Sequence, residues 1–276
     1  SGKYYIRRFN LYGASIVLDE IHLLNTEMLY TFFYFYKKYK KIYNLRLLAM
    51  SATFPRAVIE FIKKEFGLSF EEKILIDEYK TKRRIMFRYF EEDIVDWIKK
   101  NIEFFNQNKK FLIIVNTINK AQEIYKILKK HDYKNIILLH SRFLVKDRFD
   151  KEEKLKNELE KGENRNTPLI FIATQVAEVS LDISLDFLLT ELAPIPSLIQ
   201  RFGRINRNGD ITDKINVSIF EPNEIKELER KRGRYVYQRD ELEIAKEIIK
   251  KLEEDNLKNE YQLIEELNKI YRLENL

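Results

Sequence analysis

Cysteine is absent from the 276 residues, so the chain forms neither disulfides nor cysteine-ligated zinc, and a reducing, cytoplasmic setting is the expectation. No secretory leader pattern and no 18-residue uncharged apolar run is present, so no membrane span is expected. Few glycines beside abundant Lys, Glu and Ile would suit a thermophile, although plentiful Asn argues against that. The length excludes a peptide or stapled miniprotein and allows one large domain or two ordinary ones. What is abundant is charge: 50 Lys and Arg against 44 Asp and Glu, or +6. The excess lies before Glu224, at 38 basic to 30 acidic residues, whereas the tail carries 12 to 14. A basic body with a near-neutral tail favours a polyanionic partner.

Gln200-Arg201-Phe202-Gly203-Arg204-Ile205-Asn206-Arg207 is the stretch around which the rest is read. On a helix at about 100° per residue, Gln200, Arg204 and Arg207 share one stripe, and Leu198, Phe202 and Ile205 fall opposite. Gly203 would cost such a helix about 1 kcal/mol relative to Ala, which implies close packing there. Two guanidiniums on one stripe suit a polyphosphate, because Arg presents a planar bidentate fork and stays charged. Spacing by itself fits a solvated basic helix equally well.

Residues 14–18 read as a buried parallel strand that delivers Asp19 and Glu20 at its C-terminal end, where open α/β sheets hold ligands. Asp19-Glu20-Ile21-His22 suits nucleotide hydrolysis, one carboxylate holding magnesium through its water shell and the next orienting the attacking water. A lone acidic pair also simply solvates a strand end. The aromatic residues of 27–41, at roughly helical spacing, are read as core packing in preference to base stacking. Residues 45–50 form a second buried strand running into Ser51-Ala52-Thr53. An amphipathic helix over 55–66 closes on Gly67, followed by a strand at 73–76 and a polar linker over 77–84.

Beyond the linker, helices over 94–107, 118–130 and 144–161 alternate with strands at 111–116, 136–139, 169–173 and 185–190, and 214–220 is a last strand. That alternation implies a parallel sheet of right-handed βαβ units. Asn116-Thr117, His140-Ser141-Arg142 and Thr174-Gln175 each follow a strand and so line one rim, where amides, hydroxyls and helix N-termini meet phosphates. Helix capping accounts for Thr117 and Ser141 as well. The tail from 224 reads as one or two charged helices, with Arg230, Lys231, Arg232 and Arg234 around Gly233 as a solvated helix junction.

In this order, DEIH at 19–22, SAT at 51–53, the strand ending at Thr117, LHSRF at 139–143 with Asp147-Arg148, ATQVAEVSLDI at 173–183 and QRFGRINR resemble the motifs of a superfamily-two DExH helicase. Ser141-Arg142-Phe143, Glu178-Val179-Ser180-Leu181-Asp182 and Leu192-Ala193-Pro194 narrow the likeness to the CRISPR-associated helicase of type I interference systems, the motor that accompanies an HD nuclease. The resemblance implies an α/β chain with the C-terminal half of a first RecA-like domain (1–80), a complete second RecA-like domain (85–221) and a C-terminal helical extension (222–276). It implies ATP and magnesium as cofactors. Asp19 and Glu20 would hold the metal and polarise the hydrolytic water, with His22 coupling the site and Ser51 and Thr53 linking hydrolysis to strand movement. Arg204 and Arg207 would reach the γ-phosphate across an interdomain cleft, Arg207 as the finger, with Gln200 beside them and Asp182 near the ribose. Asn116, Thr117, Ser141, Arg142, Arg148, Thr174 and Gln175 would grip the backbone of single-stranded DNA, giving movement without sequence choice.

One part of that pattern is missing. A motor of this class needs a glycine-rich loop ending in Lys-Ser/Thr upstream of the DExH strand, and Gly2-Lys3-Tyr4 is not that loop. The expectation is therefore an incomplete, ATPase-inactive piece whose partners are the missing N-terminal half, an HD nuclease domain or subunit, and a CRISPR effector complex. His131-Asp132 matches the nuclease's signature dipeptide, but with only three histidines in the chain it is read as a helix end. Two other functions stand against this reading: a related helicase acting on RNA or in DNA repair, and a non-catalytic chain that binds nucleic acid through its second domain.

Overall fold

Six short strands, each ending in a polar residue or followed within two residues by one, assemble into an all-parallel sheet that organises the larger part of the chain. The computed structural model describes residues 10–19, 21, 26–50, 56–69, 84–160, 168–179, 181–209, 214–223, 236–254, 262–263, 265–266 and 269. The chain divides into two compact units, residues 1–74 with 264–276 and residues 75–263.

In the first unit, β1 (Ser15–Leu18) and β2 (Arg46–Ala49) pair in parallel, joined through α1 (Thr26–Tyr39), and α2 (Arg56–Phe66) follows. Gly67 takes a positive φ of 61° to end α2, and its N–H bonds the Lys63 carbonyl. A small core gathers Ile21, Leu29, Phe33, Ile62 and Phe66, with Leu18, Leu47 and Ala49 packed against it. Among the described residues only one face of the sheet is covered: Val17 and Leu48, paired across the strands, are 58% and 54% exposed. Both strands were read as buried, and alternate residues of each are exposed. The aromatic helix splits likewise, with Leu29, Phe33 and Tyr36 buried and Met28, Tyr30, Tyr34 and Phe35 outward. The expected strand at 73–76, the linker apart from Arg84, and the basic cluster at 230–234 lie outside the described residues.

In the second unit the strands are β3 (Phe87–Phe90), β4 (Lys110–Ile114), β5 (Ile136–Leu139), β6 (Leu169–Ala173), β7 (Phe187–Glu191) and β8 (Val217–Phe220), in spatial order β3-β8-β7-β4-β6-β5. The central strands are buried on both faces, which is why they read as unbroken apolar runs. β3 was not expected from sequence: it is a four-residue edge strand whose outward Arg88 breaks the apolar run. The helices are α3 (Ile94–Lys100), α4 (Ile118–Lys130), α5 (Val145–Glu160), α6 (Ile195–Phe202) and α7 (Arg239–Glu254). The helix expected over 94–107 is interrupted at Asn101 and continues as a 3-10 turn over Ile102–Asn106.

α7 packs on the sheet's edge instead of standing apart. Its Leu242, Ala245, Ile248, Ile249 and Leu252 are buried. Lys246 pairs with Glu221 at 2.8 Å, Lys250 with Glu91, and the Glu253 carboxylate accepts the Tyr89 N–H at 3.2 Å. An edge-strand donor is thereby satisfied and the edge is closed to a further strand.

Candidate functional site

Every strand of the second unit ends at the same rim, and the candidate residues collect there because the topology is parallel throughout. Asn116 follows β4 and is buried. Its side-chain N–H donates to the Leu192 carbonyl at 2.9 Å, and its backbone N–H donates to Glu191 at 2.6 Å. Thr117 caps α4, its hydroxyl accepting the Lys120 N–H at 3.4 Å. Ser141 and Arg142 are exposed after β5, and Arg148, one turn into α5, donates to Glu152 at 2.7 Å. Thr174 is buried after β6, and the Gln175 amide donates to the Asn116 carbonyl at 3.1 Å. Asn116 and Gln175, from two different motifs, therefore touch directly.

The 200–207 stretch departs from the single helix expected of it. α6 stops at Phe202, so Gln200 alone of the three stripe residues is helical, and Arg204 and Arg207 follow in turns. The physical reason is a competing backbone partner: Ile205 bridges Leu185, with the Leu185 N–H on the Arg204 carbonyl at 3.1 Å and the Asn206 N–H on the Leu185 carbonyl at 2.8 Å. Asn206 takes φ +43°, a conformation no helix continues through. A Cβ on Gly203 would lie 3.2 Å from the Gln200 carbonyl oxygen, so the close contact there is the preceding turn and not a neighbouring element. The apolar half of the reading stands: Leu198, Phe202 and Ile205 are fully buried.

The two arginines have different surroundings. The Arg204 guanidinium donates to the carbonyls of Glu178 and Leu181, fastening the 178–182 loop. Arg207 is the more exposed, with Nε on the Gly203 carbonyl at 2.9 Å and Nη1 on Asp182. Asp182 itself is almost wholly exposed. In the first unit Asp19 is exposed at the end of β1, while Glu20, His22, Ser51 and Thr53 lie outside the described residues. Among the described residues no cluster of three or more His, Asp or Glu is arranged to hold a metal. An exposed carboxylate at a strand's C-terminal end fits a magnesium ion held through water, which needs one or two carboxylates and not a protein cage.

Spacing did not single out the residue at the centre of the rim. Arg201 is completely buried, and its five hydrogen bonds reach Glu178 and Thr190 at 2.8 Å, the Glu191 carbonyl at 2.9 Å, and Asn116 and Tyr237 at 3.1 Å. Burial alone would lower its pKa, but the carboxylate of Glu178 with the other partners more than reverses this and leaves it raised. Beside it, Lys120 is held between Asp93, at 2.9 Å, and Glu191. The available signal was a charged residue inside an apolar run: Arg201 between Ile199 and Phe202, and Glu191 closing Phe187–Glu191.

An all-parallel six-stranded sheet in this order, flanked by helices and with its polar residues collected on one rim, defines a RecA-like α/β domain. The comparisons sharpen that class. Residues 107–210 match the family model described as the C-terminal part of the CRISPR-associated nuclease/helicase Cas3. A putative CRISPR-associated nuclease/helicase Cas3 from Methanocaldococcus jannaschii is 33% identical over 216 residues, 72% of this chain and 28% of that one. The Cas3 of Streptococcus thermophilus is 30% identical over 230 residues, 74% of this chain and 25% of that one. Residues 107–210 thus carry a Cas3-like C-terminal domain, and the similarity to Cas3 relatives extends over 72% and 74% of this chain.

The chain spans about a quarter of the length of these relatives. Among solved structures, T. fusca Cas3 with ADP superposes with a TM-score of 0.71 at 18% identity, covering 92% of this chain and 35% of that one. S. cerevisiae Dbp5 bound to RNA and ADP BeF3 superposes with a TM-score of 0.51 at 19% identity, covering 75% and 52%. These likenesses establish the fold. Among the described residues, no helix is long and apolar enough to cross a membrane.

Proposed function

We propose that this chain is part of an ATP-driven motor that moves along single-stranded DNA in CRISPR interference, working in the cytoplasm beside an HD nuclease and an RNA-guided effector complex. The observation that carries the reading is the exposed Arg207 beside Asp182, held at the rim by a loop that Arg204 fastens from behind. Arg207 is the finger and Arg204 orders the loop that presents it, with Gln200 on the last turn of α6 and Asp182 placed for a ribose. ATP with magnesium supplies the phosphoryl group and the charge neutralisation; Asp19 and Glu20 are the residues to hold the metal and orient water. His22, Ser51 and Thr53 are assigned to coupling. Ser141, Arg142, Arg148, Thr117 and Gln175 are assigned to the DNA backbone, whereas Asn116 and Thr174 serve by shaping the rim, since both are buried.

The domain assignment of the reading is a partial first RecA-like domain in 1–80, a second in 85–221 and a helical extension in 222–276. The outward apolar pair Val17 and Leu48 supports a further part of the first domain packing on that face. No phosphate-binding loop occurs within the 276 residues, so the stretch by itself is expected to hydrolyse negligible ATP. In the complete motor, Arg207→Ala should lower hydrolysis by roughly 10³ to 10⁵ while ATP binding survives. Near-normal turnover would remove Arg207 from the finger role. The Dbp5 likeness keeps RNA as the second substrate, and stimulation of hydrolysis by single-stranded DNA against RNA of the same length separates the two.

A further inference from the structure

The rim contains one contact that none of these roles requires. Tyr237 precedes α7, outside every motif of the resemblance, yet its hydroxyl accepts from the Arg201 guanidinium at 3.1 Å and from the Gln175 amide at 3.4 Å. From it a continuous set of bonds runs both ways. Gln175 holds the Asn116 carbonyl at 3.1 Å, and Arg201 holds the Glu178 carboxylate at 2.8 Å, while the carbonyl of Glu178 takes Arg204. One end of the set is the proposed DNA grip and the other is the loop that positions Arg207.

We propose that Tyr237 is a positioning residue through which the C-terminal segment couples DNA engagement at Gln175 to placement of the 178–182 loop and its arginines; the inference rests on the function proposed above. The chemistry of the contact supplies the switch. The Gln175 amide has two N–H donors, one on Asn116 and one on Tyr237, and the bond to Tyr237 is the longest of the set. A phosphate oxygen arriving at Gln175 competes for that donor. Tyr237 then turns wholly to Arg201, whose five donors are all committed, so a change in one bond shifts the acceptors that remain. Arg201 is locked in place by burial, and Tyr237 is the partner that can move.

The test is Tyr237→Phe in the complete motor, which keeps the ring and removes the hydroxyl. ATP hydrolysis is measured with and without a single-stranded DNA oligonucleotide, together with the ATP concentration for half-maximal rate and the melting temperature. The expected result is a stimulation by DNA reduced roughly three- to thirtyfold, the range by which network residues alter coupling. The DNA-free rate, the half-saturating ATP and the melting temperature should stay near wild type, which a merely structural tyrosine would not leave unmoved. A wild-type motor stimulated by DNA whose Tyr237→Phe variant is stimulated equally overturns the coupling and leaves the proposed function standing. A wild type stimulated by neither DNA nor RNA overturns both. Should Tyr237→Phe melt markedly lower, the double-mutant cycle with Gln175→Ala decides: non-additive effects on stimulation support the coupling and additive ones overturn it.

Discussion

The two sheets of this chain begin from the same sequence signal and end in opposite states. Residues 15–18 and 110–114 are both short apolar strands of a parallel sheet. β4 lies between β7 and β6 with its Phe111, Leu112, Ile113 and Ile114 fully buried, whereas among the described residues β1 has one partner and leaves Val17 in the open. The difference lies in neighbours and not in composition. An apolar run states that a strand can be buried on both faces, and only what packs there makes it so. A two-stranded sheet with one bare face is also marginal by itself.

The comparison can be broken by mutation. Phe111 touches Phe105 and Phe187 in the interior of the second unit, with ring centroids 5.1 and 5.6 Å apart, so Phe111→Ala should cost about 3–5 kcal/mol in urea unfolding. Val17→Ala on the open face should stay within about 0.5 kcal/mol. Equal losses at the two positions would mean that the face at Val17 is covered in solution. Amide exchange gives an independent reading, with β4 and β6 opening near the global free energy and β1 and β2 well below it.

Arg201 sharpens the contrast from the polar side. Arg201→Ala leaves the Glu178 carboxylate buried without its cation, which should cost about 3–5 kcal/mol. The double variant Arg201→Met with Glu178→Leu removes both charges and should recover much of that loss, because an apolar pair of similar volume is often no worse than a buried ion pair. If the double variant is less stable than Arg201→Ala, the remaining bonds to Thr190, Asn116 and Tyr237 hold the rim more than the ion pair does.

Much of the second unit was legible because period and punctuation agree there. Helix 118–130 and strands 136–139 and 169–173 appear with the expected bounds, since Thr117 is a cap and each strand is an unbroken apolar run. β3 was not legible, because four residues with an outward Arg88 give no such signal. The order of motifs was legible and the path of the last one was not. Nothing in Gly203 to Arg207 announces that Ile205 will bridge Leu185 and draw Arg204 and Arg207 out of the helix. Arg201 was missed for a related reason: spacing assigns charged residues to solvent, and only the three-dimensional convergence of Glu178, Thr190 and Asn116 makes burial of a guanidinium affordable.

The smallest expected effect separates the rim's buried imidazole from its exposed neighbours. His140 is buried after β5 and stacks on Phe143 at 4.2 Å, and Lys151 lies 4.6 Å over the Phe143 ring. Burial holds its pKa below the ordinary 6.5, and the charges of Arg142 and Lys151 push the same way against a backbone hydrogen bond that raises it. The unfolded chain therefore takes up this proton first as the pH falls. Stability is full above about 6.5, is lost progressively below it, and stops falling once the folded pKa is passed. His140→Phe keeps the stack and removes the titration, so its melting temperature should fall less between about pH 7 and pH 5 than the wild type's. Parallel pH profiles for the two proteins would mean that the imidazole titrates alike in both states, and that the Ser141-Arg142 end of the rim is more open to water than the β4 end.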